Sequence, residues 1–221
     1  KARAEVKGML DSFLHRLSSV RILDPACGSG NFLFVTLQKL LDLEKDVIRF
    51  AQQNGMVFFP GVRPEQVYGI EVNAYAFELA QMAVWIGYLQ WRRDNGSDND
   101  RTPVLQNLDG FQNEDALLVP HFHNKARTLK EAQADEHKAD TSLKFYTERE
   151  WPECDVIVGN PPFLGGKLIR RELGSSYVES LFETFGNRVR PEADLCCYWF
   201  EKARGLIEKG KCKRAGLLAT Q

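Results

Sequence analysis

The sequence predicts an α/β fold in which a doubly wound, mostly parallel sheet carries helices on both faces. Three observations predict it. Short apolar runs alternate along the chain with longer stretches of helical periodicity. The first run passes through a glycine turn straight into a helix, as the opening of a βαβ unit does. Each cluster of unusual polar residues falls where a short strand ends, the edge at which such sheets bind ligands.

Residues 5–19 place apolar side chains at helical spacing, and Val20 to Leu23 then form a first short strand that stops at Asp24-Pro25. Helical periodicity resumes from Asn31 to Phe50, with charges gathered in its second half. A loop from Asn54 to Pro64 leads to a second strand, Gln66 to Glu71, which ends on a carboxylate and is followed by a helix from Ala74 to Trp91. After a polar turn (Arg92 to Pro103) a third strand is expected at Val104 to Leu108, with Asn113 to Leu117 just beyond it.

Residues 121–150 carry six acidic and six basic side chains and few large apolar ones, which predicts a polar surface insertion. Asp155 to Gly159 is the clearest parallel-type strand and delivers Asn160-Pro161-Pro162-Phe163 at its C-terminal end. A long helix is expected over Asp194 to Lys209 and a fifth strand over Ala215 to Ala219.

With 221 residues and 43% hydrophobic content, the chain reads as one domain around one core. A formal net charge of −1 leaves no global basic field, so any nucleic-acid contact must come from local patches or from parts outside this chain. The five cysteines (27, 154, 196, 197 and 212) form no CxxC pair or disulfide framework, which suits a reducing cytoplasm. The first eight residues are charged without an apolar h-region, and no apolar run reaches the roughly 18 residues of a membrane span. A cytoplasmic protein with no membrane partner is expected.

Asp24-Pro25-Ala26-Cys27-Gly28-Ser29-Gly30-Asn31-Phe32 sets two glycines between a strand and a helix, where a backbone can approach a ligand closely. A tight structural turn explains the glycines alone. No Lys-Ser/Thr pair follows, and a third dinucleotide-type glycine is replaced by Leu33, so the turn suits a nucleotide-like ligand without a phosphate to cradle. Asp24 adds a carboxylate fit for a cation that carries an ammonium and a sulfonium, as S-adenosylmethionine does. Glu71 stands where acidic residues bind a ribose diol, though a lone strand-end Glu is more often a solvated residue. Asp115 could accept from an adenine amino group or could equally be a helix N-cap.

Two consecutive prolines fix the backbone at Asn160-Pro161-Pro162-Phe163 while a polar residue and an aromatic flank them. Transfer to an exocyclic amine needs such a unit, because the lone pair of that nitrogen is delocalised into the base ring. The Asn160 side-chain oxygen and the Pro161 carbonyl would accept both amino hydrogens, leaving the lone pair aimed at the sulfonium methyl. Phe163 would stack on a base rotated out of the duplex.

The segments DPACGSGNF, YGIE, NEDA and NPPF, in that order, resemble the gamma-class amino-methyltransferases of DNA, from Val20 to Thr220. The likeness extends to the methyltransferase region of large single-chain restriction-modification and phage-defence proteins. It implies a Rossmann-like class I methyltransferase that uses S-adenosylmethionine to methylate adenine N6 in double-stranded DNA with the target base flipped. It also implies the site: Asp24, Gly28 and Gly30, with Ala26 and Phe32 in the same motif, for the methionine moiety; Glu71 for the ribose; Asp115 for the adenine; and Asn160, Pro161, Pro162 and Phe163 for catalysis. The family's upstream motif is not recognisable in Lys1 to Val20. By the same resemblance the full fold has seven strands and a C-terminal target-recognition domain, so the chain is expected to be partial, ending after the fifth strand.

Lys167, Arg170 and Arg171 follow the catalytic turn and suit phosphate contacts, with Gly165-Gly166 expected to let that loop move; the cluster Lys209 to Arg214 reads as solvated surface. His121 and His123 have no third ligand nearby, so no metal is expected. No cysteine occupies the catalytic turn, which argues against cytosine-C5 chemistry. Cytosine-N4, RNA-base or protein-glutamine methylation poses the same lone-pair problem, and a silent scaffold that keeps the fold alone is the non-enzymatic alternative.

Overall fold

The computed structural model describes residues 2–96, 107–122 and 143–219. Five strands form its main sheet: β1 (Ile22–Asp24), β2 (Val67–Ile70), β3 (Phe111–Gln112), β6 (Val156–Gly159) and β7 (Arg214–Leu217). They run in the order β3-β2-β1-β6-β7, with every neighbouring pair parallel. A separate antiparallel pair joins β4 (Leu118–Phe122) to β5 (Leu143–Glu148). The strand order reverses between β1 and β6, and this is where a crevice opens at the C-terminal edge of a doubly wound sheet. The expected mostly parallel, Rossmann-like architecture is the one observed.

Burial on both faces explains why β1, β2 and β6 read as short apolar runs. Within β2, Val67 enters one core with Leu33, Leu37, Val84 and Trp85, whereas Ile70 enters the other with Leu23, Ile157, Phe185 and Tyr198. The first core lies under α1 (Ala2–Ser19), α2 (Asn31–Gln53) and α3 (Ala74–Asp94). The second lies under α4 (Gly166–Leu173), α5 (Ser175–Phe185) and α6 (Cys196–Glu208). Asn73 caps α3 by accepting from the backbone N–H groups of Tyr75 and Ala76, satisfying two donors that a helix start leaves open.

The structure bears on three expectations. The third strand is Phe111–Gln112, while Leu108 lies in the turn before it and residues 104–106 fall outside those described. Phe111 and Gln112 pair with Gly69 and Ile70 of β2. Second, the stretch 121–150 is not all a polar excursion. Its far arm is β5, where Tyr146 packs on the second core and the charges are paired with α6: Lys202 lies 3.4 Å from Glu148, bonds the Arg149 carbonyl and sits over the Trp151 ring. Burial pushes the Lys202 ammonium down to about 8 against the pull of Glu148. Polar composition therefore marks an ionic seam here; residues 123–142, His123 among them, lie outside the described part. Third, Gly166 opens α4 in close quarters, where a Cβ would come within 2.6 Å of the Glu192 backbone, whereas Gly165 before it has open space around it. Gly166 is small so that α4 can pack against that segment.

No helix among the described residues is long and apolar enough to cross a membrane.

Candidate active site

Three chain segments converge beyond the C-terminal ends of β1, β2 and β6. The turn after β1 holds Gly28 at φ +54° and Gly30 at φ +85°, a left-handed conformation that a side chain disfavours. Gly30 has a second reason to be small, since a Cβ on it would lie 3.0 Å from the backbone of Ala80 in α3. Its carbonyl accepts from Phe34 N–H, so α2 starts straight from the turn.

Glu71, just past β2, binds that turn. Its Oε2 accepts from Gly28 N–H at 2.9 Å and its Oε1 from Asn73 N–H at 2.8 Å, which leaves each oxygen a further lone pair. Asp115 lies after β3, where its Oδ1 accepts from the N–H groups of Leu117 and Leu118 (2.7 and 2.8 Å) and its Oδ2 from the Tyr177 hydroxyl (2.9 Å). It caps the start of β4, so the capping role anticipated for it is real, but at a strand rather than a helix.

Asp24 sits beneath the turn rather than in a wall of the crevice, with 1% of its surface exposed. Its Oδ1 accepts from Ala26 N–H at 3.0 Å. Burial pushes its carboxyl up to about 7, the Ala26 N–H opposes this, and the nearby Glu71 charge adds to it. Gly159, the last residue of β6, is small for this carboxylate: a Cβ there would stand 2.5 Å from Asp24 Oδ1. The two motifs are thus fitted to each other across the β1–β6 switch point.

A cavity of about 250 Å³ is lined by Ala26, Glu71, Asp115, Asn160 and Pro162, all anticipated from sequence. It also takes in Val72, Ala116 and Trp199. Among the described residues its lining holds three carboxylates, Glu71, Asp115 and Glu114, the last paired with Arg149, and no lysine or arginine, a set that attracts a cation and offers a phosphate nothing. Pro161 is buried, and Gly30, Phe32 and Phe163 stand outside the lining; Phe32 and Phe163 are 38% and 41% exposed. A larger cavity, about 660 Å³, lies between the C-terminal halves of α2 and α3 and contains none of these residues.

Two participants leave no mark in the sequence. Trp199 on α6 donates its indole N–H to the Pro25 carbonyl at 2.9 Å and closes one wall. Nothing local distinguishes it, because its spacing is that of any core residue in a helix. Tyr177 on α5 reaches Asp115 from 62 residues away, a contact no periodicity reveals. Val72 had a signal: it is half exposed directly after the strand-end Glu71.

The expected basic patches are largely neutralised. Arg170 pairs with Glu179 and Arg171 with Glu172, while Lys213 pairs with Asp155 and Lys211 with Glu153. His121 bonds the Thr147 hydroxyl at 2.9 Å and stacks on Phe145, and no group of three metal-ligating side chains occurs among the described residues. All five cysteines are free, and burial with the charges of Asp24 and Glu71 pushes the Cys27 thiol far up, so it is no nucleophile.

The chain matches, over residues 1–221, the family described as MmeI, DNA-methyltransferase domain. It is 29% identical over 174 residues to DNA methyltransferase A of Bacillus subtilis strain 168, covering 74% of this chain and 17% of that protein. Over 89 residues it is 33% identical to a putative type II restriction enzyme and methyltransferase of Methanocaldococcus jannaschii, covering 39% of this chain and 8% of that protein. Among solved structures, the Type IIL restriction-modification enzyme MmeI in complex with DNA superposes with a TM-score of 0.62 at 24% identity, over 92% of this chain and 25% of that one. The chain therefore spans less than a fifth of the length of these curated relatives.

Proposed function

The chain belongs to the family of MmeI DNA-methyltransferase domains, and from that premise we propose that it transfers a methyl group from S-adenosylmethionine to adenine N6 in DNA, as the modification part of a restriction-modification or phage-defence protein. The observation that carries the reading is the meeting of Asn160 and Pro162 with Glu71 and Asp115 in one crevice that lacks basic side chains. Such a lining suits a sulfonium ligand. The residual lone pairs of Glu71 Oε1 and Oε2 match the two hydroxyls of a ribose, and Val72 and Ala116 supply apolar surface to an adenine ring.

S-adenosylmethionine, when bound, supplies an electrophilic methyl group. The chain's own residues do the rest. Among the described residues Asn160 has no hydrogen-bond partner, and it is exposed at the mouth of the crevice, free to accept one amino hydrogen of the target. The Pro161 carbonyl accepts the other, which favours a pyramidal nitrogen with its lone pair aimed at the methyl group. The nitrogen then sheds a proton, so no covalent enzyme intermediate is required. Phe163 offers an exposed face on which a flipped base can stack, worth roughly 1–3 kcal/mol.

The test is to incubate the full-length parent protein with methyl-labelled S-adenosylmethionine and duplex DNA, digest the DNA and identify the labelled nucleoside by mass. N6-methyl-2′-deoxyadenosine is expected. N4-methylcytosine would move the target base, and label recovered only in RNA or protein would replace the substrate class. Absence of S-adenosylmethionine binding in a calorimetric titration would leave the scaffold reading in its place.

A further inference from the structure

Asp115 makes three hydrogen bonds, and they are unequal in kind. The two to Oδ1 come from the backbone of Leu117 and Leu118 and fix where the carboxylate sits. The third, from Tyr177 to Oδ2, comes from a different part of the fold and fixes how the carboxylate plane is turned. A carboxylate oxygen has two acceptor positions, so Oδ2 keeps one open, and Asp115 lines the crevice together with Glu71 and Ala116.

Tyr177 is itself held. Its ring meets Tyr146 of β5 edge to face, with centroids 5.6 Å apart and planes at 77°. Burial, and then the Asp115 charge, pushes its phenol well above 10, so across the working range of pH it is a donor and never a competing anion. A half-buried phenol whose hydroxyl bonds one carboxylate oxygen is oriented by that partner, and the partner by it. Tyr177 belongs to α5, which follows the catalytic turn by way of α4, so the segment after Asn160-Pro161-Pro162-Phe163 reaches back to the opposite end of the crevice.

We infer that Tyr177 is a positioning residue for adenine recognition: its hydroxyl turns the Asp115 carboxylate so that the open acceptor position on Oδ2 faces the 6-amino group of the bound cofactor. This rests on the proposed role of Asp115 at the adenine. Discrimination between a 6-amino and a 6-oxo purine then depends on a residue that touches neither, because a rotated carboxylate no longer presents an acceptor to the amine.

The experiment compares S-adenosylhomocysteine with S-inosylhomocysteine, which carries a 6-oxo group, by calorimetric titration of the full-length protein, its Tyr177→Phe variant and its Asp115→Asn variant. Tyr177→Phe should weaken the adenosyl ligand by up to roughly 10- to 150-fold, the worth of one hydrogen bond to a charged group. The inosyl ligand, which has no amine to offer, should change little, so the ratio of the two affinities falls. A merely structural tyrosine would weaken both ligands alike, and that result, or no change in either, would overturn the inference. Asp115→Asn separates the two levels. If it shifts the adenosyl-to-inosyl ratio while Tyr177→Phe does not, the positioning role fails and the adenine role of Asp115 stands. If it leaves the ratio unchanged, Asp115 is not at the adenine and both fall.

Discussion

The backbone N–H of Gly28 donates to Oε2 of Glu71 across 2.9 Å, tying the turn after β1 to the end of β2. One carboxylate thus organises the crevice and faces into it, and substituting it has two consequences. Glu71→Ala leaves the N–H groups of Gly28 and Asn73 without their acceptor and should cost about 1–3 kcal/mol of stability. It should also weaken S-adenosylhomocysteine by about 1.5–3 kcal/mol, the usual worth of hydrogen bonds to a charged group. Denaturant melts and calorimetric titration on one preparation measure both. Undiminished affinity in a folded variant would take Glu71 out of the site.

The two glycines of that turn should behave differently. Around Gly28 a Cβ would meet nothing within 4 Å, so Gly28→Ala costs only the strain of its φ of +54°, roughly 1–2 kcal/mol. A Cβ on Gly30 would also press on the Ala80 backbone at 3.0 Å, which should raise the loss to roughly 2–4 kcal/mol. The Gly28 N–H is tied to Glu71 Oε2, so if Glu71 holds the cofactor, Gly28→Ala should lower cofactor affinity more than its small stability loss explains. Equal stability losses would show that α3 yields to the Gly30 methyl group.

Much of this arrangement is legible in the amino-acid sequence. β1, β2 and β6 are short strands of mostly buried apolar residues, so each leaves a short apolar run, and residues of the motifs at their ends line one crevice. What stays hidden has no local period. β3 is two residues long, too short for alternation to register. The α4 and α5 helices are separated by Gly174 alone; α4 buries only Ile169, α5 buries Val178, Leu181 and Phe185, and glycines at 165, 166, 174 and 186 break the run around both. The contacts Tyr177–Asp115 and Trp199–Pro25 join positions 62 and 174 residues apart, and only the fold brings them together.

Asp24 gives a dependence on pH whose sign follows from its burial. Its carboxyl is raised from 3.8 to about 7, so between about pH 4 and pH 7 the folded chain keeps a proton that the unfolded chain has lost. This group's contribution therefore makes the ligand-free fold less stable as pH rises through that window, by roughly 4 kcal/mol at full extent, or about 1.4 kcal/mol for each pH unit crossed. The carboxyls of Asp155 and Glu201, held low by Lys213 and Arg204, act in the opposite sense and lose their contribution at lower pH. Asp24→Asn keeps an oxygen for Ala26 N–H and removes the titration, so it should flatten the slope and be more stable than the parent at pH 8. Urea melts at pH 5 and pH 8 measure this; identical slopes in the two proteins would assign the dependence elsewhere.

Asn160→Ala separates a residue that acts on the substrate from one that shapes the Pro161-Pro162 turn. A turn-shaping asparagine would hold the backbone through its side chain, and its loss would lower stability, with activity falling only as protein unfolds. The geometry argues against that role: Asn160 is exposed and among the described residues has no hydrogen-bond partner, whereas the buried Pro161 and the contact of Gly159 with Asp24 fix the backbone around it. Its removal should therefore change stability by no more than about 0.5 kcal/mol. Affinity for S-adenosylhomocysteine should stay within a few-fold, since the contacts assigned to the cofactor come from Glu71 and Asp115. The loss should fall on the chemical step, where an acceptor for the amino hydrogens matters only as the nitrogen pyramidalises, and should reach roughly 3–4 kcal/mol, comparable with deleting a donor to a developing oxyanion. Thermal melting, calorimetry and single-turnover methylation on one preparation of the full-length variant read the three quantities. A variant that melts like the parent and transfers methyl groups at a near-parental rate would remove Asn160 from the chemistry, and with it the main support for amino methylation.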